Sequence, residues 1–260
     1  YGVISMEQQF ATLPQILNKH HDFVIKPAQG SGGDGVIVVV DKYEDLFKKS
    51  DGSLISYEDL QYHISNILSG IYSLGGRIDQ AMIEYRIKPS SLFANITYQG
   101  VPDLRIIVFQ GYPIMAMLRL PTRQSTGRAN LHQGAVGVGV DIGTGNTVGG
   151  VWSNRRIKTH PDTRGLLEKI TIPYWDKCLR LAAQCYELTG LGYLGVDIAF
   201  DSDLGPLILE MNARPGLTIQ IANNAGLLTR LKKIEAITTS ASIMERVVFA
   251  KNEFSIVIKS

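Results

Sequence analysis

Residues 195–216 read Gly-Val-Asp-Ile-Ala-Phe-Asp-Ser-Asp-Leu-Gly-Pro-Leu-Ile-Leu-Glu-Met-Asn-Ala-Arg-Pro-Gly. Apolar runs on either side of Asp201-Ser-Asp-Leu-Gly205 predict two β-strands, 193–200 and 206–212, joined by a turn. Glu210 and Asn212 stand two apart, so they share one face of the second strand, while Leu209 and Met211 point the other way, into a core. A hairpin folded about residue 203 sets Asp197 across from residues 209–210, beside Glu210. Like charges facing each other across strands destabilise a sheet, and a bound cation resolves that repulsion. Two carboxylates and an amide offer only oxygen ligands, which suits Mg²⁺ with its remaining positions filled by phosphate and water. Asp197, Glu210 and Asn212 are therefore the candidate metal ligands, and Arg214 lies where a phosphate oxygen could reach it. The competing reading is a solvated face that carries two acids by chance.

A second hairpin is predicted upstream, from strands 103–109 and 112–120 with the turn at Gly111. It brings Arg105 and Arg119 close in register. Two facing cations are unfavourable unless an anion lies between them. Two readings stay open: salt bridges to nearby acids such as Asp103, or a site for a transferring phosphoryl group, whose oxygens need such cations. Arg128, Asn130 and His132 follow within a few residues. A lone histidine is more often a satisfied hydrogen-bonding residue than a catalytic base, and His160 in Thr-His-Pro-Asp reads as a turn stabiliser on the same footing.

Near the other end, strands at 23–26 and 35–40 flank Gly30-Ser-Gly-Gly-Asp-Gly35. The spacing matches Gly-x-Gly-x-x-Gly, but a dinucleotide fingerprint must open a helix, and this loop opens Val-Ile-Val-Val-Val, a strand. No Gly-Lys-Ser/Thr follows, which excludes a P-loop, and the His-Arg-Asp and Asp-Phe-Gly motifs of protein kinases are missing. What remains is a strand–glycine loop–strand unit entered by Lys26. Such a loop lets backbone N–H groups approach phosphate oxygens, and the lysine adds a point charge. The plain alternative is a mobile turn.

Between these features, residues 57–74 read as a helix with Leu60, Ile64, Ile67, Leu68 and Ile71 on one face, and 81–87 as a strand. Residues 131–160 suggest short strands and loops. A further helix has Pro173 in its first turn and Gly190 at its C-cap, with Tyr174, Cys178, Leu181, Ala182, Cys185 and Leu188 on its apolar face. Helical segments run from about 217 onward. The order is mixed α+β with antiparallel hairpins rather than regular βαβ alternation.

The 26 basic and 24 acidic residues leave a net charge of +2. That balance gives no field for nucleic acid and no polybasic patch for a membrane. No apolar run approaches the roughly 20 residues of a membrane span, and no signal peptide is visible. Cys178 and Cys185 sit on one helix about 10 Å apart along its axis, too far for a disulfide. They read as buried small hydrophobes, in keeping with a reducing, cytoplasmic setting.

Taken in order, Phe23-Val-Ile-Lys-Pro, Gly30-Ser-Gly-Gly-Asp-Gly-Val, Ile83-Glu-Tyr-Arg-Ile, Asp103-Leu-Arg, Arg128-Ala-Asn-Leu-His-Gln-Gly, Gly195-Val-Asp-Ile and Leu209-Glu-Met-Asn-Ala-Arg-Pro-Gly resemble the ATP-grasp superfamily, and within it the RimK-type α-L-glutamate ligases. The resemblance runs from about residue 1 to 235. It implies an α+β fold whose two subdomains grip ATP, with a lid-side subdomain at 1–84, a metal-bearing subdomain at 85–240 and a helical tail at 241–260. It also implies an ATP-dependent carboxylate–amine ligase that works through an acyl phosphate, with glutamate one candidate substrate. The rival readings are a nucleotide-binding regulatory or scaffold module, and a ligase acting on a sugar or cell-envelope amine. On this resemblance Lys26 and the loop Gly30, Ser31, Gly32, Gly33 and Gly35 would contact ATP phosphates, and Met82, Ile83, Glu84 and Tyr85 would form the adenine-binding hinge. Asp197, Glu210 and Asn212 would hold Mg²⁺ or Mn²⁺. Arg105, Arg119 and Arg214 would face the γ-phosphate, and Arg128, Asn130 and His132 the acceptor. The partners implied are small-molecule or peptide carboxylates and amines. The match to RimK-type enzymes is expected to be incomplete in three ways: the stretch before Phe23 leaves no room for their N-terminal domain and upstream nucleotide lysine, Gly134-Ala135 stands where Gly-Gly is expected, and a long insert lies between Glu84 and Asp103.

Overall fold

The computed structural model describes residues 1–256 apart from Ser31 and Asp45. The chain forms two compact units, Tyr1–Arg86 and Ile87–Ser260.

The first unit is built on one antiparallel sheet. Its strands are β1 (Gly2–Ile4), β2 (Phe23–Pro27), β3 (Ile37–Tyr43), β4 (Leu46–Lys49), β5 (Leu54–Ser56) and β6 (Ala81–Glu84), in the spatial order β1-β6-β2-β3-β4-β5. Helices α1 (Leu13–Leu17) and α2 (Tyr57–Leu68) complete it. Helix α2 starts at a capping box in which Ser56 and Asp59 satisfy each other's backbone donors. Its Leu60, Ile64 and Ile67 are fully buried, with Phe23, Ile25 and Val39 of the sheet in the same core. The helix ends at Leu68, short of the predicted residue 74. Gly70 has φ +85°, and a Cβ there would lie 2.3 Å from the Arg77 carbonyl oxygen. The chain turns at this glycine, and Ile71, predicted on the apolar face, is exposed.

The second unit holds an eight-stranded sheet. Its strands are β7 (Asp103–Phe109), β8 (Tyr112–Leu120), β9 (Val136–Val140), β10 (Asn146–Trp152), β11 (Arg155–Ile157), β12 (Glu168–Thr171), β13 (Tyr193–Asp201) and β14 (Gly205–Asn212). The order is β11-β10-β9-β8-β7-β13-β14, with β12 on β10. Helices α3 (Trp175–Thr189), α4 (Ile219–Asn223), α5 (Leu228–Glu235) and α6 (Ile243–Phe254) contribute to its larger core. Both predicted hairpins are present, with turns at Gln110-Gly111 and Asp201–Gly205.

Helix α3 is rotated from its predicted phase. It begins at Trp175, after Tyr174 in the left-handed region, so Pro173 lies outside the first turn. The Trp175 indole is buried and donates to the Ile142 carbonyl at 2.9 Å. That anchor turns Leu179 and Ala183 inward beside Cys178, Ala182 and Cys185, and leaves Tyr174 and Leu188 exposed. Both thiols are free and buried, and burial pushes Cys178 up to about 12. Gly190 caps the helix with φ +66°, as expected. No helix among the described residues is long and apolar enough to cross a membrane.

Gly70→Ala should cost the first unit about 1–3 kcal/mol, since the new methyl meets backbone at a left-handed position. Urea denaturation followed by circular dichroism measures this, and a loss smaller than that of an exposed Ser→Ala control would refute the account of the helix stop.

Candidate functional site

The polar cluster of the second unit is set by strand pairing. Strand β13 lies between β7 and β14, so Asp197 faces Arg105 on one side and Glu210 on the other. A β-bulge between Asp197 and Ile198 decides which residue it meets. Up to the bulge the register runs Asp201↔Gly205 to Ile198↔Ile208, which would continue to Leu209 opposite Asp197. The extra residue moves the pairing on by one and brings Glu210 there instead. Asn212 follows on the same face, opposite Gly195, and its Nδ2 donates to Glu210 Oε1 at 3.0 Å and to Asp197 Oδ2 at 3.4 Å. Gly195 explains the rest of the motif. A Cβ there would come within 2.6 Å of Pro215, so the glycine makes room for the chain that returns after the acids. Met211, expected in a core, is 44% exposed, because β14 is an edge strand.

Asp197 is fully buried. Arg105 binds it with both prongs, Nε to Oδ1 and Nη2 to Oδ2, each at 2.6 Å. Arg119 Nη2 reaches the same Oδ2 at 2.5 Å, and Arg119 also grips Asp103 through bonds of 2.5 and 2.7 Å. Burial opposes the charge on Asp197, but the Arg119 and Arg105 guanidinium groups outweigh it and hold the carboxyl below its ordinary range. Asp103 goes the other way: burial, helped by the Asp197 charge and opposed by Arg119, pushes it up to about 7. Burial and the charge of Asp197 also raise the Glu210 carboxyl, although its side chain stays 55% exposed.

Of the two readings for the arginine pair, the structure shows the salt bridges: both arginines are held by acids. Arg119 pairs across the strands with Asp103, and Arg105 sits diagonally from it opposite Met117. The anion between the two arginines is the protein's own Asp197. The three proposed metal ligands do come together, and they fit a divalent cation chemically: all can offer oxygen, and two acids crowd one register position. Among the described residues no group of three or more His, Cys, Asp and Glu side chains is arranged to hold a metal. This set has two acids and one amide.

Arg214 is exposed just beyond β14. Arg128 is exposed, whereas Asn130 caps a short turn by accepting from the His132 backbone N–H at 3.0 Å. His132 lines a cavity of about 430 Å³, together with Gln124, Leu131, Val151, Asn154 and Thr218. Gly134 has φ +102°, and a Cβ there would strike Gln124, whereas the neighbouring Ala135 is a buried part of the cavity wall. His160 serves a turn: its Nε2 donates to the Pro121 carbonyl at 3.0 Å, and its Nδ1 accepts from Asp162 and Thr163.

In the first unit, the glycine loop connects β2 to β3. Gly32, Gly33 and Gly35 all have positive φ, and a Cβ on Gly35 would meet the Tyr72 ring at 2.5 Å. Ser31, a predicted phosphate contact, lies outside the described residues. Lys26 forms a 2.6 Å ion pair with Glu84, so the expected phosphate contact and the expected hinge residue meet each other. Met82 and Ile83 run between β1 and β2, so the sheet occupies their backbone groups, whereas Glu84, at the end of β6, pairs with Val24 of β2 and lies beyond the pairing with β1. Sequence reasoning missed Asp79. It is buried and accepts from the Gln29 and Gln80 backbone N–H groups and the Ser73 hydroxyl, fixing the base of the loop. Nothing in Arg77-Ile-Asp-Gln signals that role, since its partners lie as far as 50 residues away.

The family model described as sugar-transfer associated ATP-grasp matches residues 1–236. Similar solved structures include D-cycloserine synthetase DcsG, at 14% identity and a TM-score of 0.41, over 88% of this chain and 64% of that one. ATP-grasp ligase PsnB complexed with a minimal precursor is also 14% identical, with a TM-score of 0.42, over 90% and 52%. D-alanine–D-alanine ligase from Bacillus anthracis complexed with ATP is 14% identical, with a TM-score of 0.39, over 97% and 57%. The chain thus spans between about half and two thirds of the length of these structures. No curated protein matches it. With the family model covering more than half of the residues, the chain belongs to the sugar-transfer associated ATP-grasp family, within the ATP-grasp superfamily.

Proposed function

We propose that this protein is an ATP-dependent carboxylate–amine ligase, releasing ADP. The observation that carries this reading is the pairing of Asp197 with Glu210, with Asn212 on the same face and two arginines alongside. A carboxylate substrate attacks the γ-phosphorus of ATP, giving an acyl phosphate and ADP. An amine then attacks the acyl carbon, and inorganic phosphate leaves. Asp197, Glu210 and Asn212 would hold Mg²⁺, which supplies charge neutralisation on the phosphates. Arg105 and Arg214 supply further positive charge for the phosphoryl oxygens. Lys26 and the loop from Gly30 to Gly35 bind nucleotide phosphates, and Glu84 and Tyr85 form the hinge. No side-chain nucleophile is required.

For the amine acceptor we assign the cavity beside His132. Its lining mixes neutral polar residues with Leu131, Ala135 and Val151, and among the described residues it includes no Asp, Glu, Lys or Arg. Glutamate, with its two carboxylates, would find no cation there. A hydroxyl-bearing amine such as an amino sugar suits it better, since a ring presents apolar C–H faces and neutral hydrogen-bonding groups. The family's association with sugar transfer points the same way.

ADP release, screened against amino acids, peptides and amino sugars, tests the activity. Amine-dependent release is expected, strongest with amino sugars. ATP binding without ADP release under any amine would favour a scaffold module instead. Glu210→Gln should lower turnover by about a hundredfold or more while the circular dichroism spectrum is unchanged, because the side chain keeps its shape and loses its charge. Turnover within a few-fold of the parent would remove Glu210 from the site. Lys26→Ala should weaken ATP binding about tenfold by calorimetry, as for a charge-assisted hydrogen bond of roughly 1.5–3 kcal/mol; unchanged affinity would remove Lys26 from the nucleotide site.

A further inference from the structure

Asp197 already accepts from four donor groups. Arg105 contributes one to each oxygen, and Arg119 and Asn212 both add to Oδ2. Each carboxylate oxygen has two lone pairs, and the two guanidinium N–H groups already fill those of Oδ2, so a divalent cation on that oxygen competes with an arginine. The two arginines are not equal competitors. Arg119 is gripped from its other side by Asp103, itself buried, and its release would strand two buried acids. Among the described residues Arg105 has Asp197 as its one bidentate partner, with Glu210 Oε1 3.9 Å away. Breaking a buried pair is costly because it leaves an uncompensated charge. An incoming cation compensates Asp197 in place of Arg105. It does nothing for Asp103 in place of Arg119.

We propose that Arg105 is the exchangeable cation of this site: its guanidinium holds Asp197 until a divalent cation takes the carboxylate, then turns to phosphoryl oxygens, while Arg119 stays fixed between Asp103 and Asp197. The inference rests on the reading of Asp197, Glu210 and Asn212 as a divalent-cation site. Its consequence is coupling. Arg105 suppresses binding of the cation alone, and nucleotide relieves the competition by giving the guanidinium a new anion. Cation and nucleotide therefore bind cooperatively, and Arg105 carries the coupling. It is a positioning residue in this role, acting through Asp197.

The test is Mn²⁺ binding by electron paramagnetic resonance, with and without a nonhydrolysable ATP analogue, alongside thermal unfolding with and without Mg²⁺. Without nucleotide, Arg105→Met should bind Mn²⁺ about tenfold more tightly than the parent, within the usual range of coupling between sites. Mg²⁺ should restore much of its lost Tm while leaving the parent's Tm nearly unchanged. Arg119→Met should lose stability with no recovery in Mg²⁺, because Asp103 stays uncompensated. If Arg105→Met fails to fold, Arg105→Lys carries the test: it keeps the charge, loses the two-pronged grip and should still bind Mn²⁺ more tightly than the parent. Nucleotide-dependent Mn²⁺ binding in the parent with no gain in either Arg105 variant overturns the exchange alone. Mn²⁺ binding in no form, with or without nucleotide, overturns the exchange together with the site reading beneath it.

Discussion

The second unit is organised around one buried carboxylate. Asp197 sits on a strand between two neighbours, out of contact with water, and a lone ion there would be too costly to keep. Arg105 on the adjoining strand and Arg119 one strand further make it tolerable, and Asp103 in turn holds Arg119. The result is an alternating row of charges, Asp103–Arg119–Asp197–Arg105, laid across three strands and ending at half-exposed Glu210. Burying such a row is weak grounds for stability, since apolar residues of similar volume often serve as well or better. Its retention here is explained better by chemistry: it delivers an ionised acid, two cations and a second acid to one face of a sheet.

The surroundings follow from that requirement. The bulge within β14 turns Glu210 rather than Leu209 toward Asp197. Gly195 leaves space for Pro215, so the chain can double back beside the acids, and Thr218, three residues beyond Pro215, already borders the cavity next to His132. The cluster and the candidate acceptor cavity are thus joined by a few residues of one continuous segment. In the first unit buried Asp79 does comparable work for the glycine loop, tying Gln29, Ser73 and Gln80 together beneath it.

Much of this was legible in the sequence wherever the signal was local. Both hairpins of the second unit announce themselves through apolar alternation around short turns, and the period-two rule places Glu210 with Asn212. The approximate register puts Asp197 near Glu210, but a bulge leaves no mark in composition, so the choice between residues 209 and 210 needed the structure. The phase of α3 was missed by one residue because its start is fixed by a hydrogen bond from Trp175 to Ile142, 33 positions away. The end of α2 was missed because apolar periodicity carries through Ile71, whereas the close approach of Gly70 to Arg77 stops the helix. The partner of the two arginines could not be read from their own hairpin either, since Asp197 comes from a strand 78 residues after Arg119.

The central claim is that Asp197, Glu210 and Asn212 hold one divalent cation together with nucleotide. A crystal structure of the protein with Mg²⁺ and a nonhydrolysable ATP analogue tests it most directly. The account predicts a single metal about 2.0–2.1 Å from oxygens of at least two of these side chains, its shell completed by phosphate and water. A metal bound to the phosphates but away from all three side chains would contradict it.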